Sequence, residues 1–283
     1  MYIFRDCDCE PVGKLVITLA PTGMIPTKKE TPYVAITPEE IAADAYKAYR
    51  LGASIVHVHA RDENGKPTYK KEVFERIFKE IKRKCPDMII CATTSGRVHP
   101  QVEHRAEVLD LYPEMASLTL GSLNFPQYPS VNSMETIQKL ATMMKERNIL
   151  PELEVFELGF INTAKYLVRK GYLKKPLHFC LLLGSLGSVP ANISDLSTLV
   201  QSLPSESNWS ATGIGRFQTQ INIAAILMGG HARIGIEDSI YFNYPKEVLA
   251  TNLQLVERIV RIAKEVNRDI ATPSETREIL GIG

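Results

Sequence analysis

The feature that most constrains this chain is a rhythm. Short apolar runs alternate with helical patterns eight times, from near one end to near the other. The runs are KLVITLA (14–20), SIVHVHA (54–60), DMIICAT (87–93), MASLTLG (115–121), ELEVFEL (152–158), PLHFCLLL (176–183), NWSATG (208–213) and HARIGIE (231–237). Most are apolar on both parities, as parallel strands covered on both faces should be. Eight strand–helix units at intervals of roughly 30 residues are what a closed (β/α)8 TIM barrel requires. A doubly wound open sheet is the main rival. It normally carries a glycine-rich turn after its first strand, and LAPTGMIP (19–26) matches that pattern poorly. The first helix is marked in TPEEIAADAYKAYRLG (37–52). Thr37 is placed to cap it, Pro38 suits the first helical position, Glu40 completes a capping box and Gly52 ends it.

No Pro/Gly/Ser-rich linker divides the 283 residues, so one barrel domain is expected over 1–283. Residues 1–13 read as an N-terminal extension and 268–283 as a C-terminal tail, packed on the barrel or a neighbouring subunit. The net charge of +1, from 33 basic and 32 acidic residues, argues against nucleic acid or an anionic membrane as a general partner. No 18-residue apolar span occurs, and MYIFRDCDCE is too charged for a signal peptide. Five cysteines, an odd number without framework spacing, suit a reducing compartment, and a cytoplasmic protein is expected. Cys7 and Cys9 form a CxC with no second ligand pair nearby, which reads as two thiols on a terminal arm. Cys85, Cys91 and Cys180 read as small core residues.

The second strand ends in His57-Val58-His59, so two imidazoles face the same way where barrel active sites form. For a lone histidine a local hydrogen bond, here to Arg61 or Asp62, is the plainer reading. HxH at a strand's C-terminal end favours a metal. A third ligand should come from another strand end, and GGHARIGIEDS (229–239) is the best candidate. Arg233, Gly235 and Glu237 share one parity, Gly235 leaves room for something to approach the backbone, and Asp238 follows at the rim. Two histidines and a carboxylate leave coordination positions open, as a catalytic site needs. Zinc is the natural ion, with manganese or iron(II) as alternatives. Thr93, Ser95 and Gly96, in ATTSG (92–96), offer hydroxyls and backbone N–H groups for a carboxylate. Ser117 and Thr119 share a parity on the fourth strand. Glu152 and Glu154 lie within the fifth, with Glu157 near its end, and a carboxylate such as Glu154 inside a barrel is costly without a metal, a cation or a proton.

Together these stretches resemble the β-keto acid cleavage enzyme family, whose type is the 3-keto-5-aminohexanoate cleavage enzyme. The resemblance runs from about residue 14 to the C-terminus. It rests on LAPTG, ITPEEIAADA, GASIVHVHARDENGKP, PEMASLTLGSLNF, GIGR, GGHARIGIEDS and LATNLQLVERIVRIAKEVNRDIATPSETREILG. It implies a zinc-dependent barrel, usually a homotetramer, that condenses a β-keto acid with acetyl-CoA to release acetoacetate and a new acyl-CoA. By motif, His57, His59 and Glu237 would bind zinc, and Arg233 and Asp238 would manage the proton of the acetyl methyl group, whose enolate attacks the ketone. Thr93 stands where the family has a serine or threonine near the substrate carboxylate, and Ser117, Thr119 and Glu154 are further expected contacts. Arg97, Arg216 and scattered lysines are candidates for the CoA phosphates. Two departures stand out. Ile25 occupies a region where a family member with an amino-bearing substrate is expected to place an acidic group, so an uncharged or apolar substrate tail is expected here. YFNYPKEV (241–248) replaces a common glycine before the last helix. The rival readings are another metal-dependent barrel enzyme, such as a class II aldolase or a hydrolase, and a non-catalytic barrel that binds an acyl-CoA or metabolite.

Overall fold

The computed structural model of the protein describes residues 12–283, so Cys7 and Cys9 lie outside it. Eight parallel strands close into a ring in chain order: β1 (Ile17–Leu19), β2 (Ile55–Val58), β3 (Ile89–Ala92), β4 (Met115–Thr119), β5 (Leu150–Val155), β6 (Leu177–Leu183), β7 (Ser207–Gly213) and β8 (His231–Ile234). Each strand is followed by a helix: α1 (Pro38–Leu51), α2 (Lys71–Lys84), α3 (Val102–Ala106), α4 (Met134–Glu146), α5 (Leu158–Arg169), α6 (Ile193–Ser202), α7 (Gln218–Leu227) and α8 (Asn252–Glu265). A ninth, α9 (Pro273–Leu280), ends the chain. The expected TIM barrel is the fold. A two-residue antiparallel pair, Leu123–Asn124 with Pro129–Ser130, sits in the loop after β4.

Seven of the eight strands are shorter than their apolar runs, while β7 begins one residue before its own, at Ser207. β5 differs in register: it begins at Leu150 and accommodates Pro151, and Glu157 stands at the N-cap of α5 rather than on the strand. The helices bury one stripe each. On α1 it is Ile41, Ala42, Ala45 and Ala48, a spacing that keeps one face on the barrel. The expected α1 cap is present in full, with Thr37 and Glu40 closing the box and Gly52 left-handed at φ 111°.

Beyond this strand–helix layer, a smaller apolar cluster fills the N-terminal end of the barrel. Val16, Ile55, Ile89, Cys91 and Met115 point inward and meet Ala271 and Leu280 from the tail. The tail is tied by Leu15 N–H to Asp269 O at 2.7 Å, Ala271 N–H to Leu15 O at 2.9 Å and Ser54 Oγ–H to Ala271 O at 2.6 Å. Among the described residues one end of the barrel is thereby stoppered, and the polar interior opens at the C-terminal ends of the strands.

Candidate active site

His57 is the third residue of β2 and His59 lies one residue past its end, so the pleat turns both rings to the barrel axis. Their Nε2 atoms are 3.3 Å apart. Glu237 arrives from the turn after β8. That turn folds tightly against β1: Ala20 N–H donates to Ile234 O at 2.8 Å and Glu237 N–H to Ala20 O at 3.2 Å. A Cβ on Gly235 would collide with the Ala20 carbonyl, so the group that needs this glycine bare is the neighbouring backbone rather than a ligand. Gly23, left-handed at φ +63°, lies against Glu237, whose Cγ a Cβ there would meet at 2.6 Å. Glu237 Oε1 comes to 3.3 Å from His59 Nε2 and 3.9 Å from His57 Nε2.

Three ligand atoms thus converge from two strand ends, as a metal site requires. Zinc–nitrogen bonds of about 2.0–2.1 Å at a tetrahedral angle put two nitrogens about 3.3 Å apart, which is the observed imidazole separation. Glu237 Oε2 is buried without a partner, an orphan that a cation would satisfy. Burial pushes His59 below its ordinary value and toward the neutral form that ligates a metal. Burial opposes charge on Glu237 as well, but His59, Arg233 and His57 together outweigh it and hold the carboxyl well below its usual range. The residues fit the ion.

Arg233, wholly buried in β8, ties this trio to the rest of the floor. Its Nη2 donates to Glu237 Oε1 at 2.6 Å and to Asp238 Oδ1 at 3.3 Å, and its Nε donates to Asp238 Oδ2 at 3.1 Å. Nη1 faces Glu152 Oε2 at 3.7 Å and Glu154 Oε1 at 3.9 Å. Asp238 is buried, and burial lifts its carboxyl above the ordinary range against the pull of Arg233. Glu154 is raised for the same first reason, and its Oε2 accepts from Thr119 Oγ1 at 2.5 Å.

A cavity of about 860 Å³ opens above these groups. His59, Thr93, Ser95, Thr119, Glu154, Arg233, Glu237 and Asp238 all line it, as do Ile25, Arg97, Arg216 and Tyr244. Gly96 and Ser117 stand behind it instead. Ser117 Oγ accepts from Thr94 N–H at 3.2 Å and its carbonyl from Thr94 Oγ1 at 2.6 Å, which fixes the loop after β3. Arg61 and Asp62 do not serve the histidines. Arg61 donates to the carbonyls of Gly23, Pro26 and Gly65 and so pins the loop that carries Ile25, while Asp62 accepts from the N–H groups of Asn64 and Lys66.

Glu152 is the residue whose weight the sequence reading missed. It is fully buried, and its Oε2 lies 3.2 Å from His57 Nδ1, off-line for a hydrogen bond, and 3.6 Å from Cys91 Sγ. Burial raises such a group, yet His57, Arg233 and His178 outweigh it and bring its carboxyl down to about 2. The signal was present: Glu152 and Glu154 share a parity, so if one faces the interior both do. Arg105, on α3, gave no signal at all.

Fold and site together define a metal-capable (β/α)8 enzyme whose cavity lies at the C-terminal end of the barrel. Residues 14–282 match the beta-keto acid cleavage enzyme family, and the chain belongs to it. The 3-keto-5-aminohexanoate cleavage enzyme of Fusobacterium nucleatum subsp. nucleatum is 43% identical over 95% of this chain and 98% of its own. The 3-oxoadipate:acetyl-CoA acetyltransferase of Cupriavidus necator is 32% identical over 94% of each. Among solved structures, the apo structure of ObcA superposes with a TM-score of 0.80 at 21% identity, covering 89% of this chain and 66% of that one, which speaks for the fold. The chain is an enzyme of β-keto acids.

Proposed function

We propose that the protein transfers the acyl part of a β-keto acid to CoA at the expense of acetyl-CoA, releasing acetoacetate, with a divalent cation, zinc by its ligand set, held by His57, His59 and Glu237. The observation that carries this reading is the convergence of that trio with the Arg233–Asp238 pair under one cavity. The acetyl-CoA acetyltransferase among the protein's relatives supports acetyl-CoA as the second substrate. Bound there, the cation supplies Lewis acidity to a ketone oxygen and eases the charge of an enolate.

Atom balance decides which carbon is the nucleophile. Acetoacetate must contain the acetyl group of acetyl-CoA and the CH2–carboxylate of the substrate, so the bond formed joins acetyl C1 to substrate C2, and the bond broken is substrate C2–C3. An attack by the acetyl methyl on the ketone, expected from the sequence, builds a tertiary alcohol from which those products do not separate. The proton to be moved is therefore on substrate C2. Asp238, buried and raised, is the base for it, and Arg233 aims the carboxylate through two hydrogen bonds. The C2 carbanion attacks the thioester carbonyl and expels CoA thiolate. The thiolate then adds to the C3 ketone, the C2–C3 bond breaks, and the acetoacetate carbanion recovers its proton from Asp238. Thr93 and Ser95 face the cavity where they would hold the substrate carboxylate, and Thr119 and Glu154 flank the reacting carbons. Trideuteromethyl acetyl-CoA separates the two routes. Acetoacetate retaining all three deuterons supports attack by substrate C2, and loss of one deuteron refutes it.

The substrate tail is read as uncharged. Ile25 lines the cavity on the loop after β1, and the acidic residue nearby, Glu30, already accepts from Thr27 N–H and Oγ–H at 3.0 Å each. A 3-oxohexanoate should be used with at least about tenfold higher kcat/KM than its 5-amino counterpart, because a buried ammonium without a partner is costly. Preference for the amino-bearing acid would refute this assignment.

A further inference from the structure

The loop after β3 is backed by a buried cation that makes its hydrogen bonds to neutral acceptors. Arg105, at the end of α3, is 3% exposed. Its Nε donates to Thr94 O at 2.7 Å and its Nη2 to Asn132 Oδ1 at 2.8 Å, both neutral acceptors, while Nη1 has no partner. Among the described residues no carboxylate lies within ion-pair distance of it. Glu154, the acid that partly offsets that charge, is already engaged by Thr119 and faces Arg233. Burial lowers the guanidinium to about 10, so it keeps its charge at neutral pH. A desolvated, unmatched charge is among the costliest things a fold can hold. A brace between Thr94 and Asn132 needs donors and no charge.

The position of Arg105 says what anion would match it. A Cβ on Gly96 would meet Nη1 at 2.8 Å, so the guanidinium lies directly under Ser95-Gly96. A side cavity of about 30 Å³ behind His59 is lined by Thr93, Thr94, Ser95 and Arg105, and it shares His59, Thr93 and Ser95 with the large cavity. The space suits a small anionic head and excludes a nucleotide phosphate chain.

We infer that Arg105 is the specificity-determining cation for the substrate carboxylate, a positioning residue that charges the Thr93–Gly96 loop from behind and makes the site select β-keto acids over neutral ketones. The inference rests on the reading that β-keto acids bind beside His59. Ligand-observed NMR titrations of the zinc-loaded full chain with acetoacetate and with 2,4-pentanedione, which puts a methyl ketone in place of the carboxylate, test it. Wild type is expected to prefer acetoacetate. Arg105→Met is expected to weaken acetoacetate about tenfold or more while leaving pentanedione within about twofold. Arg105→Lys, which keeps the charge and loses the planar fork, is expected to retain the preference. Arg105→Gln serves in place of the methionine variant should that one not fold, with the same expected loss. An unchanged preference in the neutral variants, or its equal loss in Arg105→Lys, would overturn the role of Arg105. Wild type without any preference for acetoacetate would overturn the parent reading of the site as well.

Discussion

At the level of single residues, groups that touch the reacting atoms separate from groups that only aim them. Asp238→Asn removes a base while keeping the shape and one of the two acceptors that Arg233 uses. Turnover should fall by about 10²- to 10⁴-fold with metal content unchanged, and a variant that keeps near-full activity would remove Asp238 from its role. Glu152 lines neither of the two cavities, but its Oε2 sits 3.2 Å from His57 Nδ1, behind the ring whose other nitrogen would meet a metal. Glu152→Gln should lower zinc affinity by about 10- to 100-fold, measured by competition with a chelator of known affinity. Equal affinity in variant and wild type would make Glu152 a filler of the barrel floor and no more.

At the scale of elements, the tail is a working part of the barrel. α9 is capped by Thr272 and Glu275, and it delivers Leu280, fully buried, to the barrel floor. Leu280→Ala should cost about 2–5 kcal/mol and Thr272→Ala about 1 kcal/mol, read from denaturant midpoints. Parity, capping and turn chemistry act over a few residues, and what depends on them was legible in the sequence: eight strands in order, the α1 box, and His57 and His59 on one face. Glu237 was reachable only by its nearness to β8, because the strand stops at Ile234 and the residue enters from the turn beyond, not through a parity shared with Arg233. Contacts that close across the barrel were not. That Gly235 is bare for Ala20, that Ser117 turns to Thr94 rather than to the cavity, and that Arg105 on a five-residue helix lies under Gly96 all depend on long-range registration between strands and loops. A local pattern carries no trace of these.

At the scale of the whole molecule, the two ends of the barrel do different work. The stoppered end contributes stability and the open end chemistry, the usual division for this fold. A pH dependence of stability should come from the stoppered end. His231, buried at the start of β8, accepts from Val16 N–H through Nδ1 at 3.1 Å, and burial, with His178 and Arg268 adding, lowers it to about 3. Its neutral form is the folded form. The stability it contributes is therefore complete above about pH 6.5 and is lost as the pH falls toward 3. Between pH 7.5 and 5 the loss should be about 2 kcal/mol, and His231→Asn, which keeps an acceptor that does not titrate, should remove most of that slope. Identical slopes in variant and wild type would place the acid sensitivity elsewhere. The open end rests on one claim, that His57, His59 and Glu237 hold a divalent cation on which turnover depends. Quantifying bound metal and acetyl-CoA-dependent turnover together, in the protein as purified and after chelation, tests it most directly. One equivalent of zinc per chain is expected, with turnover that disappears with the metal and returns with it, and a Glu237→Gln variant deficient in both. Full turnover in metal-free protein would contradict it.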